Sequence, residues 1–289
     1  MKVNYECASC MLRQSREAIE HATESDKIRM KSTLKVLEFM DNNFKSNVNS
    51  NKLGTDLHQL IMKETGNDDP YKMLRQEGNR IGLKLMPTAQ DIIQENPSFE
   101  NYVKIAVAGN IIDFGALEED TDMEKLIRDK IVEEPVINDI SLLEKDLKNA
   151  KRILYLADNG GEIVFDKLLI QKIKEDYDLE IILALKEGPI LNDALMEDAI
   201  DLKLDEYATL ITTGARSVGV VNAYISDELH RLLDEVDLII SKGMGNYEGL
   251  TEMHFKSPVY FLLTAKCNTI AREIGVEKGN KVVQKKILS

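Results

Sequence analysis

In this 289-residue sequence the segment best equipped for chemistry is Asp158-Asn159-Gly160-Gly161-Glu162, where the apolar run Ile153 to Ala157 ends in an acid, an amide and two glycines. Such a run reads as a buried strand delivering Asp158 and Asn159 to a loop at its C-terminal end, where open α/β sheets bind ligands. A carboxylate and an amide carbonyl are hard oxygen ligands for a divalent cation. The two glycines let the backbone turn tightly and approach a bound group closely. Taken alone, the same residues also fit an ordinary turn followed by a helix cap. Glu162 joins the substrate-binding candidates, although its simplest role is to favour the dipole of the helix that follows.

Three further loops carry polar or glycine-rich sequence: Lys186 to Asp193, Thr213 to Arg216, and Lys242 to Gly249. Asp193 can complete an all-oxygen cation site with Asp158 and Asn159, suited to magnesium or manganese. Its alternative role is a helix N-cap. Lys242 offers an ammonium, and the glycine-rich loop after it offers backbone N–H groups that could cradle phosphate oxygens. The loop is no P-loop, and Gly243, Gly245 and Gly249 do not have the spacing of a dinucleotide fingerprint. Arg216 is either a second, bidentate phosphate clamp or half of a surface ion pair.

Residues this far apart can converge only if parallel strands open their C-terminal ends on one edge. After residue 150 the pattern supports this. Short apolar runs predict strands over Arg152 to Ala157, Glu180 to Leu185, Ala208 to Thr212, Leu238 to Ser241 and Val259 to Ala265, with Lys281 to Ile287 as an edge. Helices are predicted between them near Ile163 to Asp176, Asp193 to Ile200, Val221 to Glu235 and Cys267 to Ile274. That alternation builds a mostly parallel sheet. Before residue 150, apolar spacings of three and four predict helices over Met11 to Ala22, Lys27 to Phe44, Thr55 to Thr65, Tyr71 to Ile81, Pro87 to Gln94, Tyr102 to Ile112 and Met123 to Val132. Asp69-Pro70, Met86-Pro87 and Glu134-Pro135 punctuate them. The expected architecture is α/β: an all-α domain over 1–149, then a doubly wound, mostly parallel Rossmann-like sheet over 150–289.

Fifty acidic against 37 basic residues give a formal charge of -13, which opposes binding to nucleic acid or to an anionic membrane. An anionic ligand must therefore meet a locally positive pocket. No apolar run approaches the roughly 20 residues of a membrane span, and Met1 to Met11 lacks the plan of a signal peptide. A cytoplasmic protein is expected. Three cysteines make no disulfide framework. Cys7 and Cys10 stand at chelating spacing, so with Cys267 they could form a second metal site or a redox pair, but small buried thiols are the simpler expectation. The four isolated histidines, His21, His58, His230 and His254, read as packing or surface residues.

The ordered set Asp158-Asn159-Gly160-Gly161-Glu162, Asn192-Asp193 and Lys242-Gly243-Met244-Gly245-Asn246-Tyr247-Glu248 resembles the signature of the metal-dependent damage-control phosphatases. Cys7-Ala8-Ser9-Cys10 and the segment Ala108 to Gly115 are similar to the stand-alone archaeal-type branch of that family. The resemblance covers nearly the whole chain. It implies hydrolysis of small phosphometabolites, such as sugar phosphates or damaged cofactor precursors including phosphopantetheine derivatives, with manganese, cobalt, nickel or magnesium. Asp158, Asn159 and Asp193 would hold the metal. Lys242 and the segment with Gly243, Gly245, Asn246 and Glu248 would face the phosphate, while Asn110 and Asp113 would reach the pocket from the helical domain. The loop Thr213-Gly214-Ala215-Arg216-Ser217 departs from the Gly- and Asp-rich form of other branches.

Metal-assisted hydrolysis is the expected mechanism, with Lys242 neutralising charge and a metal- or carboxylate-held water attacking in line. Asp158 could instead act as a nucleophile, but it lacks the Asp-x-Asp pair that such carboxylates carry in the haloacid-dehalogenase family. Two other classes stay open, an S-adenosylmethionine-dependent methyltransferase and a non-catalytic phosphometabolite-binding protein. The oligomeric state is not legible in the sequence.

Overall fold

The computed structural model describes residues 1–109 and 123–288. In chain order the elements are α1 (Tyr5–Ala22), α2 (Asp26–Asn43), α3 (Ser50–Thr65), α4 (Lys72–Glu95), α5 (Phe99–Gly109), α6 (Met123–Val132), β1 (Ile137–Asn138), α7 (Ile140–Leu147), β2 (Arg152–Leu156), α8 (Glu162–Asp176), β3 (Glu180–Leu185), α9 (Met196–Asp201), β4 (Thr209–Thr212), α10 (Asp227–Glu235), β5 (Leu238–Lys242), α11 (Gly243–Leu250), β6 (Val259–Thr264), α12 (Asn268–Ile274) and β7 (Lys281–Lys286). No helix among the described residues is long and apolar enough to cross a membrane.

The strands form one sheet in the order β1-β7-β6-β5-β2-β3-β4. All neighbours are parallel except β6 and β7. The chain starts this sheet's centre at β2, builds β3 and β4 to one side, and returns to the other side of β2 as β5. A reversal of this kind opens a crevice at the C-terminal ends of the two central strands.

Helices cover both faces, so the strands read as continuous apolar runs. Alternate residues then serve different cores. Ile153 and Tyr155 pack with α5, α7 and α8, whereas Leu154 and Leu156 pack with α10, α11 and α12. A separate cluster joins α1, α2 and α3, and another joins α4, α5, α6 and α8.

The α/β architecture is as expected, and each predicted strand is present to within a residue or so. Four differences have physical causes. The first 149 residues are not wholly helical, because Ile137 and Asn138 form β1 and pair with β7; two residues are too few to show a period. β7 therefore lies inside the sheet instead of at its edge. The two helices predicted on either side of Met86-Pro87 are one helix, α4, with Pro87 inside it. Proline removes one helical hydrogen bond, and Leu83, the residue four positions earlier that would have accepted it, is exposed. Finally, the Lys242 to Gly249 loop is helix α11, entered directly from β5.

Candidate active site

Backbone pairing brings the first two predicted loops together. Beyond β2, the Asp158 carbonyl accepts from Ala194 N–H (2.8 Å), and Gly160 N–H donates to the Asn192 carbonyl (2.8 Å). Asn159 and Asp193 form an isolated antiparallel bridge. Asp158, Asn159 and Asp193 thus share one place at the end of β2, next to the crevice with β5. Asp193 is not the cap of the following helix. α9 begins only at Met196, and its first turn is held by Asp198, which accepts from Leu195 N–H (2.7 Å).

Negative charge accumulates here. Asp193 is 4% exposed, Asp158 is half-buried, and buried Glu162 stands beside them. The Asn159 amide donates to Asp158 Oδ2 (2.7 Å) and to Glu162 Oε2 (3.3 Å). Loss of solvent, with Glu162 and Asp193 as like charges, holds the Asp158 carboxyl well above its usual range, although Lys186 and Lys266 pull it down. Burial raises Asp193 to about 6 against the opposing pull of Lys186. A crowd of carboxylates that resists ionisation is a place where a cation is favourable. The donors fit a hard divalent ion: two carboxylates and an amide carbonyl, all oxygen.

The cations near these acids are not the expected one. Lys186, at the end of β3, places Nζ 3.4 Å from Asp193 Oδ2 and donates to the Gly219 carbonyl (3.0 Å). Lys266, exposed just beyond β6, lies one strand further out, across β5 from β2, and acts on Asp158 through space. Lys242 instead turns inward. Its side chain is fully buried, and Nζ donates to Glu162 Oε1 (2.5 Å), Asp166 Oδ1 (2.5 Å) and the Ala106 carbonyl (2.9 Å). Burial alone would lower its pKa, but Asp166 and Glu162 more than offset that and raise it. Lys242 thus neutralises the carboxylates beneath the site.

Helix α11 presses close against Asp158. Gly243 has φ +74°, and a Cβ there would sit 1.8 Å from Asp158 Oδ2. The glycine is required by close approach and by backbone sign. Asn246 donates to the carbonyls of Ala157 (3.0 Å) and Lys242 (2.9 Å), tying α11 to the end of β2. Gly245 packs on Gly219, and its carbonyl accepts from Asn51 of α3 (2.7 Å). Glu248 lies further along, accepting from Ser50 Oγ (2.5 Å), while its carbonyl accepts from the N-terminal ammonium (2.7 Å).

The helical part contributes α4. Asn79 Oδ1 accepts from Gly161 N–H (2.6 Å), and Nδ2 donates to Asp198 Oδ1 (2.6 Å). Gly82 leaves room for the Gly161 carbonyl, which a Cβ would meet at 2.9 Å. Buried Arg75 pairs with Asp69 (2.8 Å), Glu197 (3.2 Å) and Asp198 (3.4 Å). Arg216 is not brought to Asp158; it donates to the carbonyls of Asp68 (2.9 Å) and Pro189 (3.3 Å), strapping two loops. Asn110 and Asp113 lie outside the described residues.

Sequence reasoning passed over Lys186, Lys266, Arg75, Asn79, Asp166 and Asp198. Lys186 had a signal: it follows a buried strand just as Lys242 does. Cys7, Cys10 and Cys267 are free and partly exposed. Among the described residues no group of three or more His, Cys, Asp or Glu is placed to hold a metal. Two of the thiols cap helices instead: Cys7 Sγ accepts from Asn4 N–H (3.3 Å) and Cys267 Sγ from Ile270 N–H (3.4 Å).

The chain is similar over nearly its whole length to known proteins. The chain is 38% identical over 293 residues to an uncharacterized protein, MJ0202, of Methanocaldococcus jannaschii, covering 99% of this chain and 96% of that one. It is 38% identical over 285 residues to damage-control phosphatase PH1575 of Pyrococcus horikoshii, covering 96% of each. A damage-control phosphatase of Archaeoglobus fulgidus is 32% identical over 291 residues, covering 98% of this chain and 99% of that one. The crystal structure of PH1575, described as a DUF89 family protein, superposes with a TM-score of 0.90, 35% identity and 99% coverage of each chain. The model of the damage-control phosphatase ARMT1-like domain matches residues 3–282. With nearly its whole length so matched, the chain belongs to the damage-control phosphatase ARMT1-like domain family.

Proposed function

We propose that this protein is a metal-dependent phosphatase that hydrolyses small phosphorylated metabolites. Sugar phosphates and damaged cofactor precursors such as phosphopantetheine derivatives are the substrate class. The observation that carries the reading is the backbone bridge joining Asn159 to Asp193, which gathers Asp158, Asn159 and Asp193 at the crevice. The names of the Pyrococcus and Archaeoglobus relatives support the reaction class.

Asp158, Asn159 and Asp193 would hold manganese, cobalt, nickel or magnesium. When bound, such an ion supplies Lewis-acid polarisation of the phosphoryl group. The chain's own residues do the rest. Lys186 steadies Asp193, and exposed Lys266 would meet phosphoryl charge. The first turn of α11, with Gly243 and Gly245, starts beside Asp158 and would offer N–H groups and the positive helix end to phosphate oxygens. Lys242, Glu162 and Asp166 hold the Asn159 amide from below, and Asn246 and Glu248 keep α11 in position. Arg216 would add to the substrate-binding set, as would Asn110 and Asp113, which lie outside the described residues. Asp158 is followed by Asn159 and Gly160, with no second aspartate at the Asp-x-Asp position, so direct attack by water is favoured over an aspartyl-phosphate.

The test is phosphate release from a panel of sugar phosphates and phosphopantetheine derivatives, using metal-stripped protein with each divalent cation restored. Release is expected with metal only, and Asp158→Ala should abolish it while leaving the thermal midpoint near that of the parent protein. Folded protein that releases nothing under any cation overturns the reading.

A further inference from the structure

Helix α2 buries Ser32, Val36 and Met40 against its neighbours. On its opposite side three large apolar side chains face solvent: Met30 at 64%, Leu34 at 59% and Leu37 at 48% exposure. Spacings of four and three place them on one stripe of the helix. A soluble chain gains nothing from such a stripe unless something covers it.

The ends of the stripe say what covers it. Lys27 and Asp41 are exposed on the same face, each seven residues from Leu34, or about 10.5 Å along the axis in opposite directions. Their neighbours are paired within the chain: Arg29 with Glu24 (3.1 Å), Lys31 with Glu64 (2.8 Å) and Lys35 with Glu38 (2.8 Å). Lys27 and Asp41 make no ion pair among the described residues. A row that reads cation, apolar, apolar, apolar, anion is complementary to its own reverse.

We propose that α2 is the contact between two copies of this chain, paired antiparallel about a two-fold axis at Leu34. Leu34 then meets its own copy, and Met30 and Leu37 pack beside the same residues of the second helix. At each end, Lys27 faces Asp41 of the partner subunit. A two-fold contact uses the same patch twice, which is what a self-complementary row provides. Parallel pairing would set Lys27 on its own copy and Asp41 on its own copy, and like charges in contact oppose it. α2 carries four basic and three acidic side chains, so this face escapes the repulsion that a chain of net charge -13 exerts elsewhere. One helix pair is a small interface, below about 1,200 Å² in total, so the dimer exchanges with monomer.

Sedimentation equilibrium of the full chain across a series reaching several hundred micromolar tests this. The mass is expected to rise with concentration from 32.7 kDa toward twice that value. Leu34→Glu should leave monomer at every concentration. Lys27→Asp alone should weaken association at least about tenfold, and adding Asp41→Lys should restore it to within about threefold. All three positions are exposed, so thermal midpoints and phosphate release should stay at the parent values. A monomer throughout, a dimer indifferent to Leu34→Glu, or a double swap that fails to restore pairing overturns the proposal. So does binding of the stripe to phosphatidylserine vesicles in place of self-association. None of these outcomes depends on the phosphatase reading.

Discussion

The ammonium of Lys242 lies 2.5 Å from the carboxylate of Asp166, and neither side chain reaches solvent. Glu162 closes the same ion at 2.5 Å, so two buried acids depend on one base. Removing the base leaves charge without a partner in a medium that penalises it. Lys242→Met is therefore expected to lower stability by about 3–5 kcal/mol, read from urea unfolding. A variant with an unchanged urea midpoint and lost phosphate release would instead return Lys242 to the role of phosphate clamp.

Gly243 has no room for a side chain, since its φ is +74° and Asp158 Oδ2 occupies the Cβ position. Gly243→Ala should displace the Asp158 carboxyl and strain the start of α11, costing about 1–3 kcal/mol in stability. Manganese affinity by calorimetry should fall at least about tenfold, because a cation site tolerates little displacement of a ligand. Native-like affinity in the variant would mean that Asp158 is not a ligand.

Lys266 is exposed and acts on Asp158 only across space. Lys266→Ala should leave the thermal midpoint unchanged, since exposed substitutions rarely exceed about 0.5 kcal/mol. Its effect belongs to the substrate: KM should rise and inhibition by inorganic phosphate should weaken, with kcat less affected. Unaltered inhibition by phosphate would remove Lys266 from the site.

His58 is buried in the α1–α3 core with its ring 6.2 Å from that of Tyr71, and burial lowers its pKa to about 4. The folded protein therefore resists protonation that the unfolded chain accepts near pH 6.5. Between those values the unfolded state binds more protons, so this histidine costs stability as pH falls from about 6.5 toward 4. At pH 4.5 the loss is about 2–3 kcal/mol. His58→Phe should flatten that part of the stability profile, as measured by urea midpoints at pH 7 and 4.5. An equal loss in parent and variant would place the acid sensitivity elsewhere.

Local pattern made several parts of this protein legible. Ile153 to Leu156 reads as a strand because both faces are covered and every position is apolar, and Asp158-Asn159 reads as a strand-end site because polar residues there have no packing role. Other parts had no local mark. β1 is two residues long and exists only because β7 lies beside it. Pro87 falls within α4 where the preceding turn, at Leu83, is exposed, which depends on how that helix sits. The glycines of α11 look like a flexible loop until Asp158 and Gly219 are seen against them.

By itself the sequence determined residue types and their order: hard oxygen donors after one strand, a further acid after the next, and lysines closing β3 and β5. Those are consequences of covalent order and of the two-residue period of strands, and they need no partner to be read. Only the tertiary structure decided which lysine meets which acid. β2 lies between β3 and β5, so Lys186 falls against Asp193 while Lys242 is drawn under the sheet edge by Glu162 and Asp166. Charge pairing at 3 Å depends on packing direction, and packing direction is a property of the whole fold.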